Sequence, residues 1–186
     1  MHLWRLIAED WVAHGRDWTK PGFRAVAVHR FGNWRNTIRW KLLRAPLSVL
    51  YRFLYRYVRN YYGIELHFTV KLGRRVVIEH QGCIVIHPFC QIDDECVIRQ
   101  GVTLGIRDED LDPMGVPKLG RRVSVGAGAK LLGDIHIGDD AKIGANAVVL
   151  RNVPAGATAV GIPARLILPG KITGGVTEQP LVELLV

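Results

Sequence analysis

The chain is short of cysteine and acid and contains no long apolar run, and each shortage removes a class of protein. Three cysteines in 186 residues, Cys83, Cys90 and Cys96, are an odd number without metal-ligand spacing. That excludes a disulfide-stapled scaffold and predicts reduced thiols and no metal site. No stretch reaches the roughly 18 to 20 consecutive apolar residues of a membrane-spanning helix. The leading MHLWRLIAEDW lacks the apolar run of an export signal, so the expected location is the cytoplasm. The most telling absence is of negative charge. Between Trp18 and Ile64 there is no Asp or Glu, while Lys20, Arg24, Arg30, Arg35, Arg39, Lys41, Arg44, Arg52, Arg56 and Arg59 all fall there. The net charge of +8 therefore belongs to one segment.

That segment, residues 1–62, also holds all five tryptophans, and it reads as helical. Leu47, Leu50, Leu54 and Tyr57 or Val58 recur at steps of three and four, with Arg52, Arg56 and Arg59 on another face. Pro21, Gly22, Gly32 and Pro46 are expected to cut it into two or three pieces. Two roles fit the basic, aromatic helices. One is a solvated cationic face opposite an apolar face that packs on the rest of the chain or on a partner subunit. The other is peripheral contact with an anionic membrane, because aromatic and cationic side chains both suit the headgroup layer. Without a recognisable nucleic-acid module, charge alone does not argue for nucleic acid.

From Gly63 onward the spacing changes. Ile, Leu or Val returns every six residues in three registers: Leu66, Leu72, Ile78; then Ile86, Ile92, Ile98, Leu104; then Leu119, Val125, Leu131, Ile137, Ile143, Val149. Four residues after these anchors stand Val70, Val76, Gly82, Cys90, Cys96, Val102, Val123, Ala129, Ile135, Ala141, Ala147 and Val153, apolar and mostly small. An α-helix needs a 3.6-residue period and a sandwich strand a period of two. A six-residue period with a large anchor and a small companion predicts a parallel β-helix whose rungs stack over one continuous core. The expected fold is thus mainly β: a β-helix over 63–168 after a short α-helical lead, with a tail over 169–186.

The repeat fails twice, and breaks in a regular scaffold are where function tends to sit. The step from Ile78 to Ile86 is eight residues, so Glu79 to Val85 must bulge. The run GIRDEDLDPMGVPK, residues 105–118, separates Leu104 from Leu119 and must protrude. The first break carries His80. A histidine whose one ring nitrogen is held by a carboxylate keeps the other free to take a hydroxyl proton at neutral pH. Glu79 adjoins it, and Glu65 lies fifteen residues earlier, about one coil away. His67 and His87 each follow an inward anchor, so a three-histidine metal site with His80 is a weaker alternative.

GIELH (63–67), IEHQG (78–82), RQGVTLG (99–105), VGAGAKLLGDIHIGDDAKIGANAVVL (125–150) and VPAGATAVGIPAR (153–165) together resemble the serine acetyltransferase family of left-handed β-helix acyltransferases. The resemblance implies a homotrimer, with the N-terminal helices available to pair trimers, and acetyl-CoA as acyl donor without a metal. It implies His80 as catalytic base, with Glu65 and Glu79 in place of the family's two aspartates. It places the donor along Gly105, Ala127 and Ala145, with Lys142 and Arg165 near the nucleotide phosphates. The family's Arg-His-Pro run, which meets the serine carboxylate, is Gly115-Val116-Pro117 here, in an acidic loop with Asp108, Asp110 and Asp112. Those carboxylates suit sugar hydroxyls, and the layout is similar to relatives that acetylate exopolysaccharide. A saccharide acceptor is therefore expected ahead of L-serine.

Overall fold

In the computed structural model, which describes residues 3–107 and 114–169, three helices lead into a parallel β-helix. The helices are α1 (Leu3–Ala13), α2 (Pro21–Arg35) and α3 (Lys41–Tyr57), and a π turn over Val58–Tyr62 extends the last. Pro21 opens α2, where its fixed φ and missing N–H are harmless. Gly32 and Pro46 do not punctuate the segment as expected, since each lies inside a helix. Gly32 serves packing: a Cβ there would crowd the Tyr51 ring and Phe68. Pro46 sits on the exposed side of the second turn of α3, where a missing N–H does not strand a buried group.

Gly63 adopts the left-handed conformation that ends the helical lead (φ 63°), and strands begin one residue later. They form three flat faces. The first comprises β1 (Ile64–Leu66), β4 (Ile84–Ile86), β7 (Thr103–Gly105), β10 (Lys130–Leu132) and β13 (Val148–Val149). The second comprises β2 (Lys71–Leu72), β5 (Gln91–Ile92), β8 (Lys118–Leu119) and β11 (His136–Ile137). The third comprises β3 (Val77–Glu79), β6 (Val97–Arg99), β9 (Ser124–Val125), β12 (Lys142–Ile143) and β14 (Thr158–Val160), closed by the antiparallel β15 (Arg165–Ile167). Anchor stacks on anchor: Leu66 on Ile86, Ile86 on Leu104, Ile78 on Ile98 and Ile98 on Val125.

Twelve of the thirteen anchors are buried, and Leu72 is half-buried against the same core. Every companion is buried except Gly82, whose inward slot passes to Ile84. The eight-residue step moves the companion two places along the chain. Cys90 and Cys96 fill companion slots, and burial pushes both thiols up to about 12.

The helices are fastened to the β-helix through its backbone. Buried Arg30 pairs with fully buried Asp10 of α1 at 2.8 Å and donates to the carbonyls of Leu72 and Gly73. His29 Nε2 donates to the Val70 carbonyl at 2.9 Å, and the Ile78 N–H donates to His14 Nε2 at 3.3 Å. A Cβ on Gly22 would overlap the Ile78 carbonyl, so only glycine lets α2 approach β3 this closely. Among the described residues no helix is long and apolar enough to cross a membrane.

Candidate active site

The corner after β3 departs from the rule that the other corners leading into the third and first faces follow. Where the chain turns from the second face to the third, the residue three after the anchor is left-handed: Arg75, Glu95, Arg122 and Asp140. Where it turns from the third face to the first, the same position is left-handed at Gly101, Gly128 and Asn146. At the first such corner the position is Gln81, which is not. Left-handed φ values appear instead at His80 (66°), Gly82 (101°) and Cys83 (53°). The two extra residues thus shift the bend onto His80, at a conformational cost on the order of 1–2 kcal/mol for a residue with a Cβ. Backbone bonds hold the corner on both sides. The Gly82 N–H donates to the Tyr62 carbonyl, the Ile84 N–H to Gly63, and the Gly101 N–H to Gly82, all at 2.9 Å. His80 itself is exposed on this fixed corner.

The two glutamates have neighbours of their own. Glu79 faces outward from β3, and Arg99 of the next coil binds its Oε2 at 2.9 Å, with Arg99 also donating to Ser124 Oγ at 3.1 Å. Glu65 is the outward residue of β1, one strand position in from the His80 edge. Its carboxylate sits among Tyr55 of α3 and His67. Burial, then the charge of Glu65, raises the Tyr55 hydroxyl. Burial, then Arg35, lowers His67, with Glu65 opposing. The rings of Tyr55 and His67 meet edge to face at 5.6 Å. Sequence reasoning missed Tyr55 and His67 as neighbours of Glu65; the alternation along β1, which puts Glu65 and His67 on one side, was the available signal for His67. The structure makes no hydrogen bond from His80 to either glutamate.

The three-histidine metal alternative does not assemble. His67 and His87 stack one coil apart at the far end of the first face, beyond Leu66 and Ile86, where His67 Nδ1 is hydrogen-bonded to Thr69 Oγ1 and His87 Nδ1 accepts from the Phe89 N–H. His80 lies at the near edge. Among the described residues no three His, Cys, Asp or Glu side chains are placed to hold a metal ion.

The residues expected along the acyl donor divide between two edges. Ala127 and Ala145 occupy the corner column that begins at His80, tied by the Asn146 N–H to the Ala127 carbonyl at 2.8 Å. Gly105 ends β7 at the opposite edge of the first face, level with Leu132. Lys142 is exposed on the third face between Ser124 and Thr158. Arg165 is exposed on β15 opposite Val160. Asp108, Asp110 and Asp112 lie outside the described residues. Gly115, Val116 and Pro117 at the end of the same excursion are buried, and Val116 joins the apolar core. The position at which the resemblance would set a histidine facing the site is therefore an inward packing position here.

Comparison with known proteins agrees with this architecture. Residues 117–151 match the family described as bacterial transferase hexapeptide (six repeats). A serine acetyltransferase of Helicobacter pylori is 41% identical over 169 residues, covering 89% of this chain and 94% of that protein. One from Synechococcus elongatus is 40% identical over 161 residues, covering 87% of this chain and 61% of the relative, and for the Escherichia coli enzyme the share falls to 50%. A solved serine acetyltransferase of Brucella abortus in complex with coenzyme A superposes with a TM-score of 0.74 at 29% identity, over 88% of this chain and 66% of that one. At 41% identity over nearly the whole of one relative, with the same fold in the solved structures, the chain belongs to the serine acetyltransferase family.

Proposed function

We propose that the chain transfers the acetyl group of acetyl-CoA to the hydroxyl of L-serine, with His80 as general base. The observation that carries this reading is the near full-length likeness to the Helicobacter serine acetyltransferase. The left-handed, exposed histidine at the irregular corner after β3 supports it from the side of the chemistry. In the proposed step His80 takes the proton from the serine hydroxyl as its oxygen attacks the thioester carbonyl. The carbon–sulfur bond then breaks, and the departing thiolate receives the proton from the imidazolium. Such a base contributes about 10²–10⁴ in rate. Glu65, at the same edge, is the carboxylate available to orient the imidazole. The charge of Glu79 is shared with Arg99.

Coenzyme A is bound in the Brucella relative, and the proposed donor path here runs from His80 along Ala127 and Ala145. Gly105 lies on the opposite edge of the face. One groove reaches both edges only if a neighbouring copy contributes one of them, and a homotrimer supplies that arrangement. Serine replaces the saccharide as preferred acceptor because the relatives are named for serine. The sugar reading rested on Gly115-Val116-Pro117 in place of the family's Arg-His-Pro run and on Asp108, Asp110 and Asp112, which lie outside the described residues. Steady-state release of coenzyme A from acetyl-CoA tests the reading with serine and with nucleotide sugars as competing acceptors. Saturable turnover with serine and a loss of 10²-fold or more in His80→Ala are expected. Turnover with the sugar alone overturns the acceptor, and full activity of His80→Ala overturns the mechanism.

A further inference from the structure

Helix α3 turns its most apolar face away from the protein. Leu42, Pro46, Val49, Leu50, Phe53, Tyr57 and Tyr61 recur at steps of three and four, and all are exposed, Leu42 at 90% and Phe53 at 68%. Tyr51, Val58 and Tyr62 on the opposite side are the residues that pack on α2 and the β-helix. An amphipathic surface helix ordinarily buries the apolar side. One flank of the exposed stripe carries Lys41, Arg52, Arg56 and Arg59, and among the described residues none of these four makes an ion pair. Trp40, 74% exposed, precedes the stripe at one end, and Tyr57 and Tyr61 close the other.

We infer that this face docks on an anionic lipid bilayer, with α3 lying in the interfacial plane. Apolar residues flanked by cations, with aromatics at both ends, match the layers such a helix meets: acyl boundary, charged headgroups and the amphipathic zone between. Charge weighs against an antiparallel pair of copies. In that two-fold pairing a patch meets itself, and the basic flank faces the same flank. No carboxylate lies between Trp18 and Ile64 to relieve that repulsion. An anionic lipid surface supplies the missing charge over the whole flank. The docking is independent of the acceptor, because no residue of the face belongs to the proposed site.

Co-sedimentation of the full chain with phosphatidylcholine vesicles, with and without phosphatidylglycerol, tests the proposal. Binding is expected only to the anionic vesicles, and it weakens as salt shortens the Debye length. Each cation near the surface contributes about fivefold in partitioning, so Arg52→Gln with Arg56→Gln weakens binding about 25-fold. Val49→Gln with Phe53→Gln abolishes it. Both pairs are exposed, and unchanged thermal melts and acetyl-CoA turnover confirm that fold and site persist. Failure to sediment with anionic vesicles at low salt overturns the proposal, and so does equal binding to neutral vesicles. A Val49→Gln, Phe53→Gln protein that drops to a smaller assembly by sedimentation velocity also overturns it and reassigns the face to contact between copies.

Discussion

His29 makes the attachment of the helices to the β-helix sensitive to acid, and the size of that effect follows from its surroundings. Its Nε2–H is given to the Val70 carbonyl, which can only accept, so the lone pair is on Nδ1. Nδ1 is buried without a partner, and protonating it would place a charge beside Arg30 with nothing to receive the proton's hydrogen bond. Burial first, then Arg30 and His67, depress the imidazole from its ordinary 6.5 to about 4. Below 6.5 the unfolded chain takes up a proton that the folded chain refuses until about pH 4. Stability is thus fully present above 6.5, falls with pH through this window, and has nothing further to lose below it. At about 1.4 kcal/mol per unit, the loss is on the order of 1 kcal/mol at pH 5.5 and 2 to 3 kcal/mol at pH 4.5. Urea unfolding of the wild type and His29→Gln at a series of pH values isolates the term, since other titrating groups cancel in the difference. Near neutrality the variant should be the weaker by about 1–2 kcal/mol for the disturbed hydrogen bond. By pH 4.5 the gap should close or reverse. Two curves that stay parallel from pH 7.5 to 4.5 would refute the argument.

Arg30→Met leaves Asp10 charged and buried and exposes the Leu72 and Gly73 carbonyls to no donor, so thermal or urea unfolding should show a loss of about 3–5 kcal/mol. Glu79→Gln removes only a half-exposed partner of Arg99, which predicts less than about 1 kcal/mol in stability. Its turnover should stay within a few-fold of wild type, whereas Glu65→Gln lowers kcat at least tenfold; equal losses at the two positions count against Glu65 as the orienting group. Cys83 is exposed while Cys90 and Cys96 are buried with thiols near 12, so a thiol-reactive label followed by mass spectrometry should mark Cys83 alone in the native protein. Labelling of all three without denaturant contradicts the packing.

The β-helix was legible because its stabilisation is periodic: each rung repeats one burial problem, and residues such as Ile98 and Val125 solve it in the same register. Lateral packing has no period, and that is where sequence reading failed. His14 and His29 carry no sequence signal because their partners are backbone groups of Ile78 and Val70, distant in sequence and anonymous in side chain. Tyr55 reaches Glu65 only once α2 has fixed the path of α3. Val116 stands where the motif sets the family's histidine, yet its apolar side chain follows burial and joins the core.

The same contrast explains why the slip at Glu79–Val85 says more than the repeat itself. In the regular corners into the third and first faces a glycine, asparagine or charged residue three positions after the anchor takes the left-handed bend. Two added residues hand the inward slot to Ile84, so the core is not interrupted and the insertion costs little packing. The bend then falls on His80 rather than Gln81, lifting an imidazole out of the row of strand side chains onto a corner held by backbone bonds from Gly82 and Ile84. Removing two of the residues between His80 and Ile84 would restore the six-residue step and leave the core intact, but it would return position 80 to the strand direction. Stability alone gives no reason for the longer corner, whereas the base we propose at His80 does: the bend fixes an exposed imidazole at the edge that Ala127 and Ala145 share.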